Sequence, residues 1–248
     1  MHFDCHVHVM MHPDPQGLLA QAAASGFCML APSCTADESE RGLMLKRSQD
    51  LPSFHPMCGI HPWHAFSEDF DEARFDRIAD LGAEGMGEIG LDQDSSPIPL
   101  EAQERLLERE LEFACARGLP LSLHVRKAHG SLVRILRRFK GRLPGGVVHN
   151  FTFSREVARE YLDLGLKLSV GHHIIMGARK LVESLKMAGP SNVVLETDAD
   201  FEHSGPYDFT QIPRQEEAFA RIFSLELGRA QEILENNARQ IFINGGGR

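Results

Sequence analysis

The chain of 248 residues lacks the marks of several protein classes. It has no run of about eighteen apolar residues, the length a helix needs to cross a membrane, so no membrane span is expected. Its first residues, MHFDCHVHVMMHPDP, hold Asp4 and several histidines where a secretory leader carries a basic start and an apolar core. The cytosol is the expected location. Five cysteines (Cys5, Cys28, Cys34, Cys58, Cys115) make an odd count with no C-x-x-C spacing. That argues against a disulfide framework and a cysteine-type zinc site, and for reduced, mostly buried thiols. No G-x-S-x-G turn occurs, which weakens a serine-hydrolase reading. No Gly/Ser linker, low-complexity tract or charge block divides the chain, so 1–248 reads as one domain with 244–248 as a frayed tail. Basic charge is also short: 26 Lys and Arg stand against 35 Asp and Glu, a net charge of -9. A generally basic nucleic-acid binder is disfavoured. An enzyme holding divalent cations is not, because bound metal adds positive charge that this count omits.

What is present is an ordinary folded composition, 42% hydrophobic and 25% charged, with an excess of histidine, 13 in all. Short, nearly continuous apolar runs lie at 3–9, 27–31, 54–60, 85–91, 120–125, 146–151, 166–170 and 193–197, as strands buried on both faces should read. Segments with helical period lie at 16–24, 70–81, 100–117, 131–139, 154–164 and 177–188, and two more, 214–227 and 230–241, follow the last strand. Ser131 and Ser154 are candidate N-caps. Eight strands alternating with helices match an α/β fold of the (β/α)8 TIM-barrel type. An open doubly wound sheet usually carries a glycine-rich turn after its first strand. Here that strand ends in His6-Val7-His8.

Polar residues gather where these strands end. His6 and His8 end the first strand, His61 follows the third, Glu88 lies in the fourth, His124 and Arg126 end the fifth, His149 the sixth, and Asp198 follows the eighth. In a closed parallel barrel all these ends meet on one face. The two-residue spacing of His6 and His8 turns both imidazoles the same way. Imidazole and carboxylate suit Zn, Mn, Fe or Co better than Ca. Four imidazoles and two carboxylates are too many for one catalytic zinc that keeps an open position. They suit a pair of ions about 3.5–4 Å apart, which clamps a phosphoryl or acyl centre. The assignment is His6, His8 and Asp198 to one ion, His124 and His149 to the other, and Glu88 as the bridge. Asp198 could also take the proton of the attacking water, with Glu196 as a weaker rival. Asp92 and Asp200 read as supporting or surface groups. The basic run Arg134, Arg137, Arg138, Lys140 and Arg142 reads as a solvated helix face.

The ordered series FDCHVHV, GIHPWH, GEIGLD, LSLHVRKA, VVHNF and LETDA resembles the TatD family of metal-dependent hydrolases and deoxyribonucleases, in the amidohydrolase-like superfamily of barrels. The resemblance runs from Phe3 to the closing segment Asn236–Phe242. It implies a two-metal site (Mg, Mn or Zn) at His6, His8, Glu88, His124, His149 and Asp198, with Glu88 and Asp198 as catalytic carboxylates. It also implies hydrolysis of phosphodiesters, with DNA single strands or ends, or a small phosphoester, as partner. His61 matches the family's G-x-H-P histidine, either near substrate or a structural histidine beside Pro62. Arg126 would contact a phosphate or form a rim salt bridge. The loops after the fourth, sixth and eighth strands depart from the family pattern, and the last, Ala199-Asp200-Phe201-Glu202-His203-Ser204, is acidic. An acidic rim repels a polyanion, which leaves an amidohydrolase-type enzyme cutting a small C–N or ester bond as the alternative. Oligomeric state is left open, and a monomer suffices for the site.

Overall fold

The computed structural model describes residues 1–66 and 70–242, so the expected frayed tail lies outside the described residues. The elements run β1 (His2–Asp4), α1 (Pro15–Ala24), β2 (Phe27–Ala31), α2 (Ala36–Ser48), β3 (Phe54–Pro56), α3 (Glu72–Asp80), β4 (Met86–Asp92), α4 (Leu100–Arg117), β5 (Leu121–Arg126), α5 (His129–Arg138), β6 (Gly146–Val148), α6 (Arg155–Leu162) and β7 (Lys167–Val170). They continue with α7 (His173–Met176), α8 (Arg179–Ala188), β8 (Val193–Leu195), α9 (Phe201–Ser204), α10 (Gln211–Phe223) and α11 (Leu227–Phe242).

The strands pair in parallel in two runs, β1-β2-β3 and β4-β5-β6-β7-β8. Both seams are closed. Between β3 and β4, Cys58 N–H donates to Gly85 O (3.1 Å) and Gly87 N–H to Cys58 O (2.8 Å). Between β8 and β1, Cys5 N–H donates to Leu195 O, Asp198 N–H to His6 O and His8 N–H to Ala199 O, each at 2.9 Å. The architecture is the expected TIM barrel. A large apolar core joins strands to helices, and a separate buried cluster joins Phe3, Cys5, Cys28, Leu30 and Met57 to Ala238, Ile241 and Phe242 of α11.

Local chemistry sets the ends of these elements. Asp14 precedes Pro15 and accepts from Gly17 N–H at the start of α1, and Gly118, in the left-handed region at φ 67°, ends α4. Several expectations need correction. The strands are shorter than the apolar runs: β1 stops at Asp4 instead of Val9, because the chain beyond leaves the regular ladder where its imidazoles turn into the mouth. Ser131 lies inside α5, which starts at His129, and Ser154 holds the N-cap position of α6 without a side-chain cap bond. α2 lies in a stretch assigned no helix. Its signal was Thr35-x-x-Glu38: Thr35 accepts from Glu38 N–H, and Glu38 reaches back to Cys34 N–H (2.9 Å). The basic run is matched by acidic residues of α4, as Arg134 pairs with Glu104, Arg138 with Glu108 and Arg142 with Glu112.

β4 and β5 approach very closely. A Cβ at Gly90 would stand 2.0 Å from His124 O, and one at Gly87 would stand 2.6 Å from Ser122 Cβ. Only glycine fits. This close packing sets Glu88 beside His124.

Candidate metal centre

Glu88 is the hub of the barrel mouth. Its Oε2 lies 3.3 Å from His6 Nε2 and 3.4 Å from His8 Nε2. Its Oε1 lies 2.6 Å from His124 Nδ1, 2.9 Å from His149 Nε2 and 3.5 Å from His61 Nε2. One carboxylate therefore faces two groups of imidazoles, one at each oxygen, with His6 of the first stacked on His149 of the second at a centroid distance of 4.1 Å. Asp198 closes the first group, with Oδ1 at 3.6 Å from both His6 Nε2 and His8 Nε2. Among the described residues, four sets have ligand atoms within 4.8 Å of one another: His6, His8 and Asp198; His61, Glu88 and His124; His6, His149 and Glu196; and His8, Cys34 and Glu88.

These side chains are held from behind. His6 Nδ1 is 3.0 Å from Ser122 Oγ, on β5 two residues before His124. Asp198 adopts a left-handed backbone (φ 54°), and its Oδ2 accepts from the Asn150 side-chain amide at 3.1 Å. Asp92 is fully buried. It accepts from Trp63 Nε1–H (2.8 Å) and from the Asp94 and Ser95 amides, and stands 3.3 Å from His124 Nε2. Glu196 is likewise buried; it accepts from Asn150 N–H and Ser169 Oγ and lies 3.6 Å from His149 Nδ1.

The electrostatics follow from this packing. Burial pushes the Glu88 carboxyl up, but the imidazoles of His149, His61 and His6 outweigh it and hold the group well below the usual range. Burial likewise acts on Asp198, where the His8 hydrogen bond and the nearby His149 and His6 rings win and keep it ionised. For His6 burial dominates and favours the neutral, ligating ring; His61 is pushed down to about 4 by burial.

The donor set fits divalent cations. Buried His6 Nε2 makes no hydrogen bond, although it points between the Glu88 and Asp198 carboxylates. A buried, unsatisfied ring nitrogen aimed between two ionised carboxylates suits a shared cation and not a proton.

All six expected ligand side chains reach this one mouth, and His61 joins them as a buried member of the cluster. Its Nδ1 accepts from Trp63 N–H (3.3 Å), which leaves Nε2 toward Glu88. Arg126 stands apart on the rim, 52% exposed, with Nη2 2.8 Å from Asp94 Oδ2; Lys127 pairs with the same carboxylate. Asp200 caps α9. Three neighbours went unassigned in the sequence. Cys34, whose Sγ is 4.0 Å from His8 Nδ1, carries no local signal. Ser122 and Asn150 did carry one, since each lies within two residues of a strand-end histidine.

The family described as TatD related DNase matches residues 3–243. YjjV of Escherichia coli (strain K12), described as an uncharacterized metal-dependent hydrolase, is 32% identical over 262 residues, covering 96% of each chain. A protein of Musicola paradisiaca (strain Ech703), described as the 3′-5′ ssDNA/RNA exonuclease TatD, is 28% identical over 252 residues, 94% of this chain and 93% of that one. The crystal structure of the E. coli YjjV protein, a TatD homologue, superposes with a TM-score of 0.84 at 26% identity over 97% of each chain.

Proposed function

Because the chain belongs to the TatD-related DNase family of metal-dependent hydrolases, we propose that it hydrolyses phosphodiester bonds at the ends of single-stranded nucleic acid with a pair of divalent ions. The observation that carries this reading is the division of Glu88 between two imidazole groups. His6, His8 and Asp198 would hold one ion and His124 and His149 the other, with Glu88 shared between them. When bound, such a pair offsets the charge of a phosphodiester and makes water a competent nucleophile near neutral pH.

The chain's own groups do the rest. Asp198 has a side chain 31% exposed, against 4% for Glu88, so it is the carboxylate of the pair that meets incoming water and substrate. Its Oδ2 accepts from the Asn150 amide, which fixes the carboxylate in place to take the proton of the attacking water. His61 is neutral, and with Nδ1 accepting from Trp63 it holds its proton at Nε2, placed to donate to a substrate oxygen. Asp92 fixes the ring of His124. Arg126 reaches a phosphate by exchanging its Asp94 partner.

The reading extends to the whole chain as one hydrolytic unit acting in the cytosol, to which the free cysteines of the described residues conform. Among the described residues no helix is long and apolar enough to cross a membrane. One observation favours a second reading, a small C–N or ester substrate: Asp94 engages both Arg126 and Lys127 and so neutralises basic charge at that part of the rim.

End-labelled single-stranded DNA supplied with Mg, Mn or Zn tests the proposal. Metal-dependent trimming lost in Asp198→Asn is the expected result, and the surviving label gives the polarity. No trimming with any metal, together with turnover of a small amide or ester, transfers the site to the second reading.

A further inference from the structure

We propose that Asp4 is a positioning residue of the metal centre: its buried carboxyl sets the spacing between His6 and Asp198 by holding the backbone of both ligand-bearing segments. This rests on the two-ion reading above. Asp4 ends β1 and is fully buried. Among the described residues it belongs to none of the sets of candidate ligands. Its oxygens are engaged elsewhere. Oδ1 accepts from the backbone N–H of Thr197 at 2.9 Å and from that of His6 at 3.3 Å. Oδ2 accepts from the Thr197 hydroxyl at 2.6 Å and from the Tyr207 hydroxyl at 2.8 Å.

Three observations carry the inference. The first is where these bonds fall. His6 and Asp198 come from opposite ends of the chain and meet only across the β8–β1 seam, where Asp198 N–H donates to His6 O. At that seam the amides of His6 and Thr197 both turn to Asp4 Oδ1, so one side-chain oxygen takes the place of a strand carbonyl for two segments. The ladder can thus stop where the imidazoles turn into the mouth, with no backbone N–H of these two residues left over. The second is the conformation of Asp198. Its φ of 54° is one that residues with a side chain seldom adopt, so the surroundings must impose it. The Thr197 hydroxyl brackets it, donating to Asp4 and accepting from Ala199 N–H at 3.2 Å. The third is the brace behind Asp4. The Tyr207 ring meets Phe27 of β2 and Phe209 edge-on, with centroids 6.2 and 4.7 Å away, so its hydroxyl reaches Asp4 from a packed aromatic cluster. Ser122 and Asn150 orient the tips of His6 and Asp198, whereas Asp4 fixes the backbones that carry them.

The test titrates metal-free protein with Mn(II) by calorimetry and follows the Mn(II) electron paramagnetic resonance spectrum, neither of which depends on turnover. The wild type should take up two ions and give the spectrum of a coupled pair. Thr197→Val keeps the side chain's shape but removes the hydroxyl that Asp4 and Ala199 share. Asp4→Asn sets an N–H or a weaker acceptor where the carboxyl meets its four donors. Each should weaken one of the two ions about tenfold to a hundredfold, the usual cost of losing a group that orients metal ligands, and shift the spectrum toward that of a single ion. Thr197→Ser keeps the hydroxyl and should restore both. A merely structural role would instead lower the melting temperature and leave metal binding intact, the pattern expected of Glu84→Gln at the base of the barrel, which serves as the control. Wild-type metal affinity in Thr197→Val or in folded Asp4→Asn, or a loss in Thr197→Ser as large as in Thr197→Val, overturns the role of Asp4 while the two-ion reading stands. Should Asp4→Asn fail to fold, the two Thr197 variants decide alone. If the wild type binds fewer than two ions, the two-ion reading fails, and the role assigned to Asp4 fails with it.

Discussion

Glu84 and Glu88 stand four residues apart, one just before β4 and one within it, and each has histidine at its carboxylate. At the base of the barrel, Glu84 Oε2 meets His55 Nδ1 at 2.5 Å, and Oε1 accepts from the ammonium of Lys46, which also donates to Phe54 O (2.7 Å). A permanent cation completes that cluster, and both carboxylate oxygens are satisfied. At the mouth, among the described residues, every group in ion-pair range of Glu88 is an imidazole, and buried His6 Nε2 has no hydrogen bond. A structural ion pair brings its own positive charge. A metal centre instead gathers carboxylates around donors that are neutral when they ligate, and leaves the cation to be supplied. On the proposed function the same residue types four residues apart thus do opposite work, and the discriminating feature is the missing lysine or arginine.

This contrast can be broken or sharpened by experiment. The largest expected effect is on turnover at the mouth. Glu88→Gln and Asp198→Asn should each lower kcat/KM by about 10³-fold or more, as expected where transition-state charge loses its support. Circular dichroism of both should match the wild type. In EDTA, Glu88→Gln should melt below wild type, because the imidazoles that hold the buried Glu88 carboxyl low lose their charged partner. Wild-type turnover in either variant would remove Glu88 and Asp198 from the mechanism.

Metal removal comes next. Chelation should abolish activity and lower the apparent unfolding free energy by about 2.7 kcal/mol relative to protein holding free metal at a hundred times its Kd. A chelator-dependent shift in melting temperature should be present in Glu84→Gln and mostly absent in Glu88→Gln. An equal shift in both would place the ions elsewhere.

At the base the effect should be on stability and not on chemistry. Glu84→Gln should cost about 1–3 kcal/mol at neutral pH, with kcat retained. Burial pushes the Glu84 carboxyl up, but the hydrogen bonds and charges of His55 and Lys46 outweigh it, so the folded value lies below the ordinary 4.5. The unfolded chain therefore takes up the proton first as pH falls. The stabilisation is whole above about pH 5 and disappears as pH drops through the folded value. Urea unfolding of wild type and Glu84→Gln should thus differ at pH 7 and draw together as pH falls; a gap that does not shrink in acid would mean that Glu84 acts through packing.

The smallest effect belongs to the exposed ladder between α4 and α5. Arg138→Gln removes the pair with Glu108, whose side chains are 57% and 34% exposed, and should change stability by less than about 0.5 kcal/mol. Oligonucleotide binding should not change either, since this basic run is matched by acidic residues of the neighbouring helix.

Much of this arrangement was legible in the residues. Apolar runs short enough for strands alternated with helical periods, and the histidines and carboxylates fell where those runs end. Other parts were not. The sequence gives no reason for Cys34 to stand beside His8, for Asp92 to face His124, or for Asn150 to hold Asp198, because each pair comes from different strands. α2 was marked by its Thr35 and Glu38 cap and was overlooked because its apolar stripe is thin. Arg126 shows the same limit from the other side. Its position after β5 follows from the sequence, but its engagement with Asp94 depends on how the β4 loop folds over the rim.

By itself, then, the order of residues determined which side chains end which strands, because backbone period and burial are local properties of a few consecutive residues. Only the tertiary structure decided how far apart those ends lie. Ring closure through the β3–β4 and β8–β1 seams sets the spacing of the strand ends, and the glycine-permitted approach of β4 to β5 lets one Glu88 carboxylate face His6 and His8 with one oxygen and His124 and His149 with the other.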